Sequence, residues 1–389
     1  MLRIGGVQAV QVSGASHISL GLAIPAGFSS DPAGTPGVAH VCEHSVLAAT
    51  QHSSRDAFPV AAITGCHNTT FSVDITPEDF DSALQAFAAI VRPDINRLRI
   101  AVAQERQVVS LELLMGAGAV GHGIGAAVAD RLVPQSGLGH EVAATPGSVA
   151  HVSFPDVLAC VQAAYQPQAA ILVMAGAVTE GNLHQAAEFF PGGNRLAPCP
   201  TLAAGTANEP VPAWGIAYSR PPRGQRPQAA WLDCLDNVLI QPSFPTGQLA
   251  RTMEGVALGS VRLCCPLGDL AVSAYRGSRN GLSGRAAAAG LRELMLSDGT
   301  FDKLVSTAVQ SASRSYASRR SRLDLPWEIR DLLLDHVTGT GPAWELWEDP
   351  YDYSAATQAA VDALSNVNTW DIDERGRCEL SDSSEPFPT

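Results

Sequence analysis

The chain has 389 residues, of which 46% are hydrophobic, and its formal net charge is −13. This length and hydrophobic content predict at least two folded domains and exclude a long disordered protein. The acidic balance argues against nucleic acid or an anionic membrane surface as the main partner.

Apolar periodicity and helix signals divide the first half of the chain into regular elements. Residues 16–24 alternate apolar and polar side chains, which is typical of a half-buried strand. Thr76 and Pro77 suit the N-cap and first position of a helix. The predicted elements, in chain order, are a strand at 16–24, a helix at 38–49, a strand at 69–75, helices at 76–91 and 95–115, and a buried strand at 169–178.

A segment rich in Pro and Ala at 197–213 reads as a linker, and after it the order of elements starts again. The predicted elements of this part are a strand at 214–219, a helix at 227–240, strands within 256–275, and helices at 284–296 and 301–317. The fold class is therefore α+β, with two homologous halves that each combine a mainly antiparallel sheet with helices. We expect an N-terminal half at 1–207, the end of the linker at 208–213, a C-terminal half at 214–375 and an acidic, disordered tail at 376–389.

The most informative motif is His-Val-Cys-Glu-His at residues 40 to 44. On a helix, His40 and His44 lie one turn apart on one face, so both imidazoles can reach one metal ion. Glu43 lies beside them, where it can take a proton from water, and H-x-x-E-H is a zinc peptidase signature. The alternative is that three polar residues happen to share a surface helix.

A candidate third ligand is found on the second long helix. Glu105 and Glu112 are seven residues apart and therefore share one helix face, which by itself often means only a solvated face. Leucines surround Glu112 at 111, 113 and 114, which favours a buried carboxylate with a partner.

Together, "GVAHVCEH" at 37–44 and "ERQVVSLE" at 105–112 resemble the pitrilysin/insulysin family of zinc peptidases. The resemblance is greatest to the short, two-repeat branch that includes the mitochondrial processing peptidase. It extends over most of the chain, through segments 31–44, 69–91 and 137–178, and is looser in the second half.

The resemblance implies one zinc ion per chain, bound by His40, His44 and Glu112. It implies that Glu43 is the general base and that Glu105 contacts the ligand side chains and orients them without binding the metal itself. The implied fold is a pair of clam-like halves around a chamber. The implied activity is hydrolysis of peptide bonds in peptides or unstructured precursor segments.

Two positions depart from the family's pattern. The family places Asn-Ala-x-Thr on a strand that pairs with the substrate backbone, whereas this chain has Ala61, Ala62, Ile63 and Thr64. The family also places an arginine and a tyrosine seven apart in the C-terminal half. Arg251 matches the arginine, as a possible substrate contact, but Leu258 stands at the tyrosine position.

These departures suggest that the chain is the zinc-bearing member of a pair, with a second subunit of the same family in a heterodimer or a copy of itself in a homodimer. The alternative within the family is an inactive or structural partner subunit. An unrelated alternative is a dinucleotide site at "GAGAVG", residues 116–121, but the preceding segment reads as helix where that motif requires a strand.

Location is inferred from missing signals. The N-terminus has no apolar core of the signal-peptide type, no apolar run is long enough to span a membrane, and the eight cysteines include no C-x-x-C. We therefore expect a cytoplasmic protein with reduced thiols and no membrane partner.

Overall fold

In the computed structural model the chain divides into two units. The described residues are 1–32, 34–51, 59–116, 124, 128, 144–193, 196, 212–220, 245–265, 268–277, 282–297, 299–338, 352–373 and 378–380. The first unit comprises 1–116, 143–205 and 321–344, and the second comprises 117–142, 206–320 and 345–389. Residues 321–338, expected in the C-terminal half, group with the first unit.

Strands and helices are numbered in chain order within the described residues. The strands are β1 (Leu2–Ile4), β2 (Val7–Gln11), β3 (Ile18–Ile24), β4 (Ala61–Thr64), β5 (Thr69–Ile75), β6 (Ile171–Gly176), β7 (Ala213–Arg220), β8 (Val256–Cys265), β9 (Gly268–Arg276), β10 (Asn368–Ile372) and β11 (Cys378–Leu380). The helices are α1 (Val38–Gln51), α2 (Phe80–Ile90), α3 (Ile95–Gly116), α4 (Pro146–Ala150), α5 (Phe154–Ala164), α6 (Glu180–Phe189), α7 (Pro245–Thr252), α8 (Gly284–Leu296), α9 (Thr300–Arg320), α10 (Pro326–Thr338) and α11 (Tyr353–Ser365). The α+β class with mainly antiparallel sheets is confirmed.

The first unit contains a six-stranded sheet in the order β1-β2-β6-β3-β5-β4. Only β2 and β6 run parallel; the other neighbouring pairs are antiparallel. Among the described strands β4 pairs with β5 alone, so β4 forms one edge of this sheet.

Helix α1 buries one face and presents the other to a cavity. Val38, Val41, Cys42 and Val46 lie in the hydrophobic core, and these positions recur at the spacing of one helix face. The helix begins where the Asp31 carboxylate accepts the main-chain N–H groups of residues 37 and 39, at 2.6 Å and 2.8 Å. This carboxylate thereby satisfies donors that the first turn leaves without a partner.

Strand β3 is buried on both faces, whereas its alternating sequence predicted one solvent-exposed face. The second face is covered by α10, which packs against β3 and β6. Gly21 leaves room for this helix, because a Cβ there would lie 2.9 Å from Leu334 Cδ1. Arg330 on α10 also binds the Asp74 carboxylate of β5 at 3.0 Å. No local pattern in β3 could reveal a helix that comes from about 300 residues later in the chain.

The second unit repeats the strand order of the first. Its sheet runs β11-β10-β7-β9-β8, so β10-β7-β9-β8 takes the same places as β6-β3-β5-β4. Helix α8 lies against β7 and β10, and α9 packs against α11. This arrangement confirms the repeat in element order that the sequence suggested.

The prediction of a disordered tail is wrong for three residues. Cys378–Leu380, expected within a disordered tail, pairs with β10 as strand β11, because three main-chain residues can extend an open sheet edge without an apolar pattern of their own. The helix predicted at 227–240 and most of the linker at 197–213 lie outside the described residues.

In the part of the chain that the structure describes, no helix is both long and apolar enough to cross a bilayer.

Candidate metal centre

The three predicted ligand side chains meet in the first unit. His40 and His44 come from α1 and Glu112 comes from α3, and the two helices pack against each other. Glu112 Oε2 lies 3.5 Å from His40 Nε2 and 3.3 Å from His44 Nε2. One ligand atom from each of the three residues therefore falls within 4.8 Å of the other two.

These distances suit a tetrahedral zinc ion. Zinc binds His nitrogen and carboxylate oxygen at about 2.0–2.1 Å, which places neighbouring ligand atoms about 3.3 Å apart. The Glu112 side chain is 50% exposed, so the burial predicted from its leucine neighbours is wrong, because Leu111 and Leu114 are themselves exposed on α3. Two imidazoles and one carboxylate are a donor set that zinc accepts, with a fourth position left for water.

The two histidines differ in what supports them. His44 Nδ1 lies 3.4 Å from Glu105 Oε2, so Glu105 can hold the ring in the tautomer that leaves Nε2 free to bind metal. The Nδ1 atom of His40 is buried and has no hydrogen-bond partner among the described residues. Glu105 thus lies where the resemblance implied, behind one ligand.

Burial keeps His40 in the form that a metal requires. Burial, with the neighbouring His44, lowers the pKa of His40 to about 4, although Glu112 opposes the shift. At neutral pH the His40 ring is therefore neutral, and only neutral imidazole has the lone pair that coordinates a metal ion.

Glu43 is buried beside this cluster, with 7% of its side chain exposed. Its Oε1 lies 3.9 Å from His44 Nε2, and its Oε2 accepts a hydrogen bond of 2.5 Å from the Thr64 hydroxyl. Burial raises the pKa of Glu43 above its ordinary value, and the Thr64 hydrogen bond acts against that rise. A carboxyl group with a raised pKa is suited to take up and return a proton near neutral pH.

The site opens into a cavity of about 490 Å³. Its wall includes Ala62, Ile63 and Thr64 of the edge strand β4, whereas Ala61 is exposed outside it. Two apolar side chains that the sequence analysis did not single out, Phe28 and Leu47, also line it. Leu47 follows His44 by three residues on α1 and was open to prediction. Phe28 begins a 3-10 helix of three residues, Phe28–Ser30, which is too short to give a periodic signal in the sequence.

Arg251 and Leu258 lie in the second unit, on α7 and β8. Arg251 lines a separate cavity of about 260 Å³ together with Tyr275, a buried residue of β9. The role of Arg251 and Leu258 toward a substrate stays a prediction. The glycine-rich stretch at 116–121 follows helix α3, not a strand, and its residues 117–121 lie outside the described residues.

Comparison with known proteins agrees with this geometry. Residues 8–115 match the sequence profile of the insulinase family, peptidase family M16, and this segment contains the three candidate ligands, Glu43 and Glu105. The resemblance to the pitrilysin/insulysin family is therefore confirmed over residues 8–115. Among curated proteins, none matches the sequence at a significant level.

Several solved structures share the fold over most of the chain. A protease from Helicobacter pylori is 15% identical with a TM-score of 0.60, covering 93% of this chain and 95% of that chain. A peptidase M16 inactive domain from Pseudomonas fluorescens is 13% identical with a TM-score of 0.61, covering 93% of each chain. A chain of complex III2 from Candida albicans, bound to Inz-5, is 12% identical with a TM-score of 0.64, covering 96% of this chain and 92% of that chain. At such identities the likeness establishes the fold alone.

Proposed function

We propose that this chain, similar to insulinase-type peptidases in residues 8–115 and in fold, is a zinc-dependent endopeptidase. Its substrates would be peptides or unstructured precursor segments. The observation that carries the proposal is the convergence of His40, His44 and Glu112 beside a buried Glu43.

The chemistry assigns a different task to each side chain. When bound, zinc would supply a Lewis acid that polarises a peptide carbonyl and makes a nearby water more acidic. Glu43 accepts the proton of the attacking water and later delivers it to the leaving amine, for which its raised pKa is suited. Glu105 keeps the His44 ring in one orientation.

The edge strand β4 supplies a place for an extended substrate. Ala62, Ile63 and Thr64 line the same cavity as the ligands, and β4 pairs with β5 alone among the described strands. An extended peptide can add to such an edge through main-chain hydrogen bonds, which do not require the asparagine side chain that Ala61 lacks. Side chains of Phe28 and Leu47 give part of this cavity an apolar wall.

Leu258 supports the further proposal that the chain acts in a pair. With leucine at this position, the second unit lacks the hydroxyl donor expected seven residues after Arg251. Loss of one such donor typically costs about 10²–10³ in rate. A second subunit of the family would supply the missing substrate contacts. Native mass measurement of the purified protein tests whether the chain forms such a pair. Full activity in a strictly monomeric chain would contradict the pairing.

An inactive partner subunit is the second candidate function. The departures at Ala61 and Leu258 favour it, and the fold is shared with a domain described as inactive. The intact set of His40, Glu43, His44 and Glu112 favours the enzyme, since an inactive subunit has no need of these residues.

Cleavage of a peptide library, read by mass spectrometry with and without a chelator, separates the two candidates. The peptidase predicts cleavage that chelation abolishes, that zinc restores, and that Glu43→Gln removes. Glu188→Gln, the same change of charge at an exposed position of α6, serves as the control. Cleavage that persists in Glu43→Gln would disprove the assigned base, and no cleavage by the zinc-loaded chain with its native partner would favour the inactive subunit.

A further inference from the structure

We propose that Thr64 positions the general base, by holding one oxygen of the Glu43 carboxylate so that the other faces the metal ligands. This inference rests on the proposed function and adds a second role for a residue that the sequence associated only with substrate pairing. It follows from the contacts of Glu43, from the anchorage of Thr64, and from the place of β4 in the sheet.

The two carboxylate oxygens of Glu43 have different surroundings. Oε2 accepts a hydrogen bond from the Thr64 hydroxyl at 2.5 Å. Oε1 lies 3.9 Å from His44 Nε2, on the side of the ligand cluster. A carboxylate tethered through one oxygen cannot rotate freely about its terminal bond, so Thr64 fixes the direction of the oxygen that would take the proton.

Thr64 is itself fixed to the sheet. It is the last residue of β4 and pairs with Thr69 of β5, and the two hydroxyl oxygens lie 3.4 Å apart. Thr69 donates its own hydroxyl proton to the Ala26 carbonyl at 2.9 Å. Because each hydroxyl has a single proton, and the Glu43 carboxylate is much nearer than Thr69, the Thr64 proton is directed to Glu43.

The placement of Thr64 couples the base to the substrate strand. Ala62 and Ile63, which precede Thr64 on β4, line the cavity where an extended peptide would pair. The strand that sets the substrate register thus also sets the orientation of Glu43. A hydroxyl that only aids folding of β4 would leave catalysis unchanged once the protein is folded, whereas a positioning hydroxyl affects the chemical step.

Kinetics of three variants test the proposal in the zinc-loaded protein. Thr64→Val keeps the shape of the side chain and removes the hydroxyl, and Thr64→Ser keeps the hydroxyl. We expect Thr64→Val to lower kcat about 10- to 100-fold with KM changed less than about threefold, because the base is misdirected while substrate pairing persists. Thr64→Ser should restore kcat to within about threefold of wild type. Thr70→Val, the same change on neighbouring β5, is the matched control.

Unfolding of the metal-free protein supplies a readout that is independent of activity. Thr64→Val is compared in the wild-type chain and in a Glu43→Ala chain by the urea midpoint of unfolding. We expect a larger drop of the midpoint in the wild-type background, where a buried carboxylate loses its donor, than in Glu43→Ala. Equal drops in both backgrounds would show that Thr64 does not hold Glu43.

The two experiments separate failure of the inference from failure of the proposed function. Wild-type kcat in Thr64→Val, a Thr64→Ser variant as slow as Thr64→Val, or an equal loss in Thr70→Val would overturn the positioning role. A chain with no zinc-dependent cleavage would overturn the peptidase proposal. In that case the urea midpoints still decide whether Thr64 holds Glu43.

Discussion

Replacing Glu105 with glutamine should weaken zinc binding without displacing any zinc ligand. Glu105 Oε2 lies 3.4 Å from His44 Nδ1, and its side chain is 21% exposed. Removing a carboxylate that supports a ligating histidine typically costs about 10- to 100-fold in metal affinity, or roughly 1.4–2.7 kcal/mol. The contact is longer than an ordinary hydrogen bond, and the amide oxygen of the introduced glutamine could still accept from Nδ1–H. We therefore expect about a tenfold loss, toward the lower end of that range.

Competition with a chromophoric chelator measures this affinity directly and needs no substrate. Glu105→Ala, which removes the acceptor as well as the charge, should lose more affinity than Glu105→Gln. Glu188→Gln makes the same change of net charge at an exposed position and should bind zinc as wild type does. Wild-type affinity in both Glu105 variants, or the same loss in Glu188→Gln, would refute the support that we assign to Glu105.

Two further predictions concern folding of the first unit. Burial raises the pKa of Asp31 to about 7. Between about pH 4 and pH 7 the folded chain therefore keeps a proton that the unfolded chain releases. The free energy of unfolding of the wild type should fall as the pH rises through this window. Asp31→Asn should lack this fall in the free energy of unfolding, which urea unfolding at pH 5 and pH 7.5 measures. An equal fall in the wild type and in Asp31→Asn would contradict the prediction. Gly21→Ala should destabilise the chain by about 1–3 kcal/mol, because the new Cβ would lie 2.8 Å from Val173 Cγ2 and 2.9 Å from Leu334 Cδ1. Gly34→Ala is the control, since a Cβ there meets nothing within 4 Å, and an equal loss in both variants would contradict the packing of α10 on β3.

The candidate zinc ligands could be picked out of the sequence because the spacing that marks them is local. His40 and His44 share a helix face by spacing alone, and Glu105 and Glu112 share another. The meeting of α1 with α3 is not local: the sequence offered Glu112 only as a candidate third ligand, and the resemblance then assigned the two pairs to one site. The structure shows that they lie together.

Other features depended on contacts that spacing cannot reveal. The alternation in β3 correctly predicted a strand, but its second face is buried by α10 from a distant part of the chain. Thr64 was associated with substrate pairing because its position in β4 was visible, whereas its hydrogen bond to Glu43 requires the sheet edge and α1 to meet. Strand β11 has no apolar pattern and forms through main-chain pairing with β10.

The central claim is that His40, His44 and Glu112 together bind one zinc ion. Metal analysis by mass spectrometry of protein dialysed against zinc tests it most directly, in the wild-type chain and in a chain with all three residues replaced. We predict about one zinc per wild-type chain, the same in Glu43→Gln, and essentially none in the triple variant while it remains folded by circular dichroism. A folded wild-type chain without zinc, or a triple variant that retains a full equivalent, would contradict the account.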